Sequence, residues 1–196
     1  YQTALAQVAY KNNSANPNTA DRTLKITLTD DLGATSESSA ITVRVAATDD
    51  VASLDLSGPD VSGLDAVALY SGGVGATPVP VAPLATLKDL DGSRFKSLTV
   101  QIQGADAKDG FELSPAALNA LVASGLVADP AVLSGSNLTL TIRTATAGGT
   151  GDIAAFESVI RGILYKRTEV VQADTTKPKT ITISGLDAVG NSITPA

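Results

Sequence analysis

Cysteine, histidine, methionine and tryptophan are all absent from this chain of 196 residues. Without thiols there is no disulfide framework, no thiolate metal site and no cysteine nucleophile. Without histidine the commonest general base at neutral pH is missing. Aromatic residues make up 4% of the chain against 43% hydrophobic residues overall, so Val, Leu, Ile and Ala must fill any core. No run of about 18 apolar residues could span a bilayer, and no basic-plus-apolar segment opens the chain. The formal net charge of −6 argues against a phosphate-backbone partner, so no nucleic acid is expected. An acidic surface suits solubility and divalent cations. A thiol-free, acidic, Thr/Ser/Ala/Gly-rich composition fits a secreted bacterial protein.

What is present is a repetition. The opening stretch YQTALAQVAYKNNSANP has a counterpart in FESVIRGILYKRTEVVQ, which begins at residue 156. Tyr1, Leu5 and Val8 fall on one face of a short helix, as do Phe156, Ile160 and Ile163. Each helix is expected to run into a strand bearing a Tyr-Lys pair, Tyr10-Lys11 and Tyr165-Lys166. A polar loop follows, then RTLKITLTDDLGATS (22–36) in one copy and KTITISGLDAVGNS (179–192) in the other. Thr23 matches Thr180, Ile26 matches Ile183, Asp30 matches Asp187 and Gly33 matches Gly190.

Strands are legible by alternation. Leu24, Ile26 and Leu28 alternate with Thr23, Lys25 and Thr27, and Ile41, Val43 and Val45 alternate with Thr42 and Arg44. The turn between them contains Gly33, free to take positive φ. The same period-2 pattern recurs in Leu98, Val100, Ile102 and in Leu138, Leu140, Ile142. A helix is expected from Ser114 as N-cap, through Pro115, to Gly125, with Leu118, Leu121 and Val122 as its apolar stripe. Asp152 caps the helix containing Phe156. Half-buried strands with short helices among them predict an all-β fold, a β-sandwich.

The boundary is expected near residues 47–52. Residues 51–196 then form one nearly complete unit, and residues 1–50 the C-terminal part of a preceding one. Two or three strands with one apolar face are not stable alone in water. Both ends therefore read as an excerpt from a longer tandem array.

In these elements the chain resembles the bacterial cadherin-like repeats of large secreted surface proteins and adhesins. The resemblance rests on the aromatic-x3-Leu-x2-Val-x-Tyr opening (Tyr1–Pro17), Arg-Thr-x-x-Ile-Thr-x-Thr-Asp (Arg22–Asp30), and the Val-x-Val strand entering an Asp-rich linker (Val43–Asp50). It continues in LDLSG (54–58), the Gly-rich stretch with Pro-Val (72–81) and the Asp-x-Asp pair of KDLDGS. It implies immunoglobulin/cadherin-like β-sandwich repeats with short inserted helices, neighbouring repeats or other copies of the chain as partners, an extracellular setting, and calcium at the junction between repeats. Where such repeats often carry a Glu near the Gly-rich stretch, YSGGVG has Ser71.

Asp89 and Asp91, an i, i+2 pair, project their carboxylates to one side of an extended segment. Calcium takes six to eight oxygens, so the linker residues Asp49 and Asp50, backbone carbonyls and water are expected to complete the shell. Asp30 and Asp187 hold matching hairpin positions, as further ligands or as turn caps.

Enzyme readings run out quickly. SRFK (93–96) matches Ser-x-x-Lys but lies between a turn and a strand. GGVGAT (72–77) is followed by PVPVAP rather than by a helix. Nothing in the sequence pushes the pKa values of Asp106, Asp109 and Glu112 apart. No enzyme is expected. The alternatives are a polysaccharide-binding module, with Tyr70, Phe95 and Phe111 as aromatic candidates, and a filament or sheath subunit whose residues 1–50 are completed by strand exchange.

Overall fold

The computed structural model describes residues 2–72, 76–168 and 178–195, with residues 194 and 195 described by backbone alone. Tyr1 and residues 73–75 of the Gly-rich stretch lie outside the described residues. With 36% strand and 13% helix the chain is mostly β, built from several antiparallel sheets and short helices. It divides into two compact units, residues 1–50 and 51–196.

The first unit contains α1 (Gln2–Leu5), β1 (Arg22–Ile26) and β2 (Ser39–Val43). β1 and β2 pair antiparallel, with Leu24 opposite Ile41 and Ile26 opposite Ser39. Leu24, Ile26 and Val43 are half-buried while their neighbours Thr23 and Lys25 are exposed, as period-2 alternation requires. Two expectations need correction here. α1 stops at Leu5, so Val8 does not extend its face and stays exposed, and Tyr10-Lys11 lies outside any strand. A four-residue helix forms barely one turn, too little to hold an apolar stripe against a neighbour.

The second unit runs β3 (Ser53–Asp55), β4 (Val79–Pro80), β5 (Thr86–Lys88), β6 (Arg94–Gln103), β7 (Asp109–Leu113), α2 (Pro115–Ser124), β8 (Leu126–Ala128), β9 (Val132–Ser134) and β10 (Asn137–Thr144). It continues with β11 (Gly151–Asp152), α3 (Ile153–Arg161), β12 (Ile163–Arg167), β13 (Thr180–Asp187) and β14 (Thr194–Pro195). The long strand β6 is the spine of the largest sheet. β10 and β11 pair along one edge and β13 along the other, with β8 and β9 beyond β10. β12 sits between β4 and β7 in a second sheet. In a third, β3 pairs antiparallel with β5 and parallel with β14.

One apolar core joins these sheets. Phe95, Leu98, Val100 and Ile102 of β6 meet Leu138, Leu140 and Ile142 of β10 and Phe156, Val159 and Ile160 of α3. Opposite the Leu186–Asp187 step, β6 carries Lys96 as an extra residue, which resets the alternation so that both Phe95 and Leu98 point inward. The rings of Phe95 and Phe156 stand 6.1 Å apart and tilted.

The two helices are closed by their own ends. The Ser114 and Asp152 side chains accept the backbone N–H of Ala117 and Ala154, and Gly125 ends α2 in the left-handed region at φ 64°. The buried face of α2 is Ala117 and Leu121; Leu118 and Val122 are exposed, contrary to the stripe read from the sequence. Close approach explains the choice. A Cβ on Gly162, which follows α3, would lie 2.6 Å from the Ala117 Cβ, so only a small residue fits the seam.

Candidate functional site

The repetition in sequence is a repetition in hydrogen bonds. In the first unit the Asp30 N–H donates to the Ala34 carbonyl at 2.9 Å, Thr29 bridges Thr35, and the Ser36 N–H donates to the Leu28 carbonyl at 2.8 Å. In the second the Asp187 N–H donates to the Asn191 carbonyl at 3.0 Å, Leu186 bridges Ser192, and the Ile193 N–H donates to the Gly185 carbonyl at 2.9 Å. Asp30 Oδ1 accepts from the N–H groups of Leu32 and Ala34, and Asp187 Oδ1 from those of Val189, Gly190 and Asn191. Gly33 and Gly190 take positive φ, 85° and 106°. Both aspartates thus cap turns.

Their settings differ. Asp30 is exposed, whereas Asp187 is 2% exposed. Burial alone would raise the Asp187 carboxyl, but the backbone donors of Asn191, Gly190 and Val189 outweigh it and hold it below the usual carboxylate range.

Asp89 and Asp91 lie in the turn from β5 to β6. Asp89 Oδ1 accepts the N–H of Asp91 at 3.3 Å and of Gly92 at 3.1 Å, while a Cβ on Gly92 would run into the Asp89 carboxylate. Burial, and then the adjacent Asp91 carboxyl, push Asp89 above its ordinary pKa. Asp49 and Asp50 close the first unit in backbone without regular structure. Among the described residues, no three acidic side chains gather into a cluster that could hold a metal ion.

Sequence reasoning named Asp106 and Asp109 among scattered carboxylates but missed the partners that gather around them. The Asp109 side chain is fully buried, yet it gathers four donors. Tyr165 donates its hydroxyl at 2.5 Å, Lys179 Nζ donates at 2.7 Å, Arg167 donates at 2.8 Å, and the Asp106 N–H donates at 2.8 Å. Arg167 also reaches Asp106 at 3.0 Å, and Lys179 Nζ donates to the Gly104 carbonyl. Burial would raise Asp109, but Lys179, Tyr165, the Asp106 backbone and Arg167 together hold it low. Asp106 is also held low, chiefly by the Lys108 N–H. Burial and the Asp109 carboxylate push the Tyr165 hydroxyl strongly upward, so it stays a donor. Both carboxylates are therefore ionised at neutral pH, and the cluster behaves as a neutralised clamp between β7, β12 and β13 rather than an acid/base pair.

A cavity of about 690 Å³ opens beside this clamp, its described lining including Tyr70, Val81, Gln103, Tyr165, Arg167 and Lys179. Tyr70 stands edge-on to Tyr165 at 5.0 Å, and its hydroxyl accepts the Arg167 N–H. Phe95 is wholly buried, and Phe111 packs half-buried against the core. Ser93 precedes β6, and Arg94 to Lys96 are extended. The chain defines a mostly β protein with a twice-used, Asp-capped hairpin. No family model, no curated protein and no solved structure matches it.

Proposed function

We propose that this chain is a structural and adhesive module of a long extracellular bacterial surface protein or fibre, repeating an immunoglobulin/cadherin-like β-sandwich plan. The observation that carries this reading is the pair of equivalent hairpins, 22–36 and 179–193, which share hydrogen bonds, cap residue and positive-φ glycine. Repeats of one supersecondary plan along a chain are the mark of arrays that work by length and spacing. Sheets around one shared core, with β14 laid parallel to β3, support the sandwich reading of residues 51–196.

Calcium is part of this proposal. Asp89 and Asp91 supply two carboxylate donors, Asp89 disfavoured as an ion chiefly by burial and then by Asp91; of the roughly six to eight oxygens calcium takes, the other four to six fall to carbonyls and water. Whether Asp49 and Asp50 join them is tested by Asp49→Asn and Asp50→Asn. The experiment is thermal melting and small-angle scattering of the full chain in calcium and in chelator. A higher Tm and a longer particle in calcium support the proposal; identical profiles remove calcium from it.

A second reading is favoured by the cavity beside Tyr70, where Gln103, Arg167 and Lys179 offer polar groups to a polysaccharide. Saturable binding on a glycan array, lost in Tyr70→Ala, would favour it over the structural role.

A further inference from the structure

The two hairpins are alike in register but unlike in cover. On β13 the inward residues are Ile181, Ile183 and Gly185, and β6 lies alongside with Ile102, Val100 and Leu98 opposite them. Ile183 is 6% exposed as a result. The matching residues of the first unit are Leu24, Ile26 and Leu28, in the same alternation, and β1 pairs with β2 as its one described partner. Leu28 is left 48% exposed and Ile41 52%.

Leu28 looks at first like a break in the match, since its counterpart is glycine. A Cβ at Gly185 would lie 2.5 Å from Ile193 Cδ1 and 2.6 Å from Leu98 Cδ2. Ile193 fills the space over the glycine. In the first copy the residue matching Ile193 is Ser36, hydrogen-bonded to Leu28 through both backbone and side chain. The pair Gly185/Ile193 becomes Leu28/Ser36: the bulk has crossed from one side of the hairpin to the other. Interior positions tolerate volume-conserving exchanges best, and Leu28 stands where the second copy has its interior, without that copy's cover.

From this we infer that the outer edge of β1 is a receiving edge for one further antiparallel strand with the alternation of β6, supplied by a partner polypeptide. The inference rests on the repeat reading above. The register follows from β13: the incoming strand places apolar residues opposite Leu24, Ile26 and Leu28, and polar ones opposite Lys25 and Thr27. Main-chain hydrogen bonds bind such a strand and the alternate apolar side chains select it.

The test uses the full chain, ¹⁵N-labelled, with a synthetic peptide of the β6 sequence SRFKSLTVQIQG (residues 93–104). The expected result is saturable binding that slows amide exchange along residues 22–28 at least tenfold. Binding should fall at least tenfold for a peptide with Leu98, Val100 and Ile102 changed to Ser, and for the full-chain variant Ile26→Lys. The outward variant Lys25→Gln should bind unchanged. No protection of β1, or equal protection by the Ser-substituted peptide, overturns the inference. Concentration-dependent dimers of the chain alone, abolished by Ile26→Lys, would make a second copy the occupant and also overturn it. None of these readouts depends on calcium, so their failure is separable from failure of the chelator experiment.

Discussion

The Gly185/Ile193 pair allows the equivalence of the two copies to be weighed in free energy. A leucine at Gly185 meets Ile193 Cδ1 at 2.5 Å, Leu98 Cδ2 at 2.6 Å and the Ser97 carbonyl at 2.8 Å. Three contacts under 3 Å, one of them backbone, place Gly185→Leu near the upper end of overpacking costs, about 3 kcal/mol. Ile193→Ser empties a nearly buried position, and large-to-small changes of this kind cost about 2–5 kcal/mol. Independent effects would sum to about 5–8 kcal/mol, comparable to the whole stability of a small domain. In the double variant the leucine enters the space the isoleucine leaves. The sum should then shrink by about 1–3 kcal/mol, the usual coupling of residues in contact. Urea unfolding of wild type, both single variants and the double variant measures this, provided the slope with urea stays constant. A double variant equal to the sum of the singles, within about 0.5 kcal/mol, would refute the idea that the hairpins exchange volume across a shared interior site.

Other consequences are open to measurement. Asp187→Ala removes the acceptor of three backbone donors at a buried site and should cost about 3 kcal/mol by urea unfolding, whereas Asp30→Ala at the exposed copy should only speed exchange of the Leu32 and Ala34 amides. Tyr165→Phe leaves Asp109 one donor short and should lower stability by about 2 kcal/mol. The Asp109 carboxyl is held below its unfolded value of about 3.9. Its contribution is therefore complete above that pH and lost as pH falls through the folded value. Asp109→Asn should accordingly flatten the acid limb of the stability curve below about pH 4, read by urea midpoints at successive pH values. Asp89 is shifted the other way, so its ionised form is disfavoured by folding and it costs stability as pH rises through its folded pKa. Asp89→Asn should be neutral or stabilising in chelator and should abolish any calcium-dependent gain in Tm.

Local features were legible in the sequence because they depend on near neighbours. Alternation located β6, β10 and the β1–β2 hairpin, and Ser114, Asp152 and Gly125 marked helix ends that the structure places within a residue. The matched Asp and Gly of each hairpin predicted corresponding turns, and the main-chain hydrogen bonds correspond, although Asp187 accepts three backbone N–H groups and Asp30 two. What eluded the sequence depends on elements distant along the chain. Asp109, Tyr165 and Lys179 meet only because β12 pairs with β7 and β13 returns beside β6. One signal was available: Tyr165 and Arg167, two apart on a strand, must share a face, and both reach Asp109. The face of α2 was misread because Leu118 and Val122 are more apolar than Ala117, yet the tight seam beside Gly162 admits only the small side chain.

The most direct measurement grafts one copy into the other, replacing residues 180–193 of the full chain by the sequence of residues 23–36 and following unfolding in urea alongside amide exchange of β6. The account predicts one cooperative transition with the wild-type slope and retained protection of the β6 amides, because the transplanted Leu28/Ser36 pair fills the space of Gly185/Ile193. A chain without a cooperative transition, or one whose β6 amides exchange freely along that edge, would contradict it.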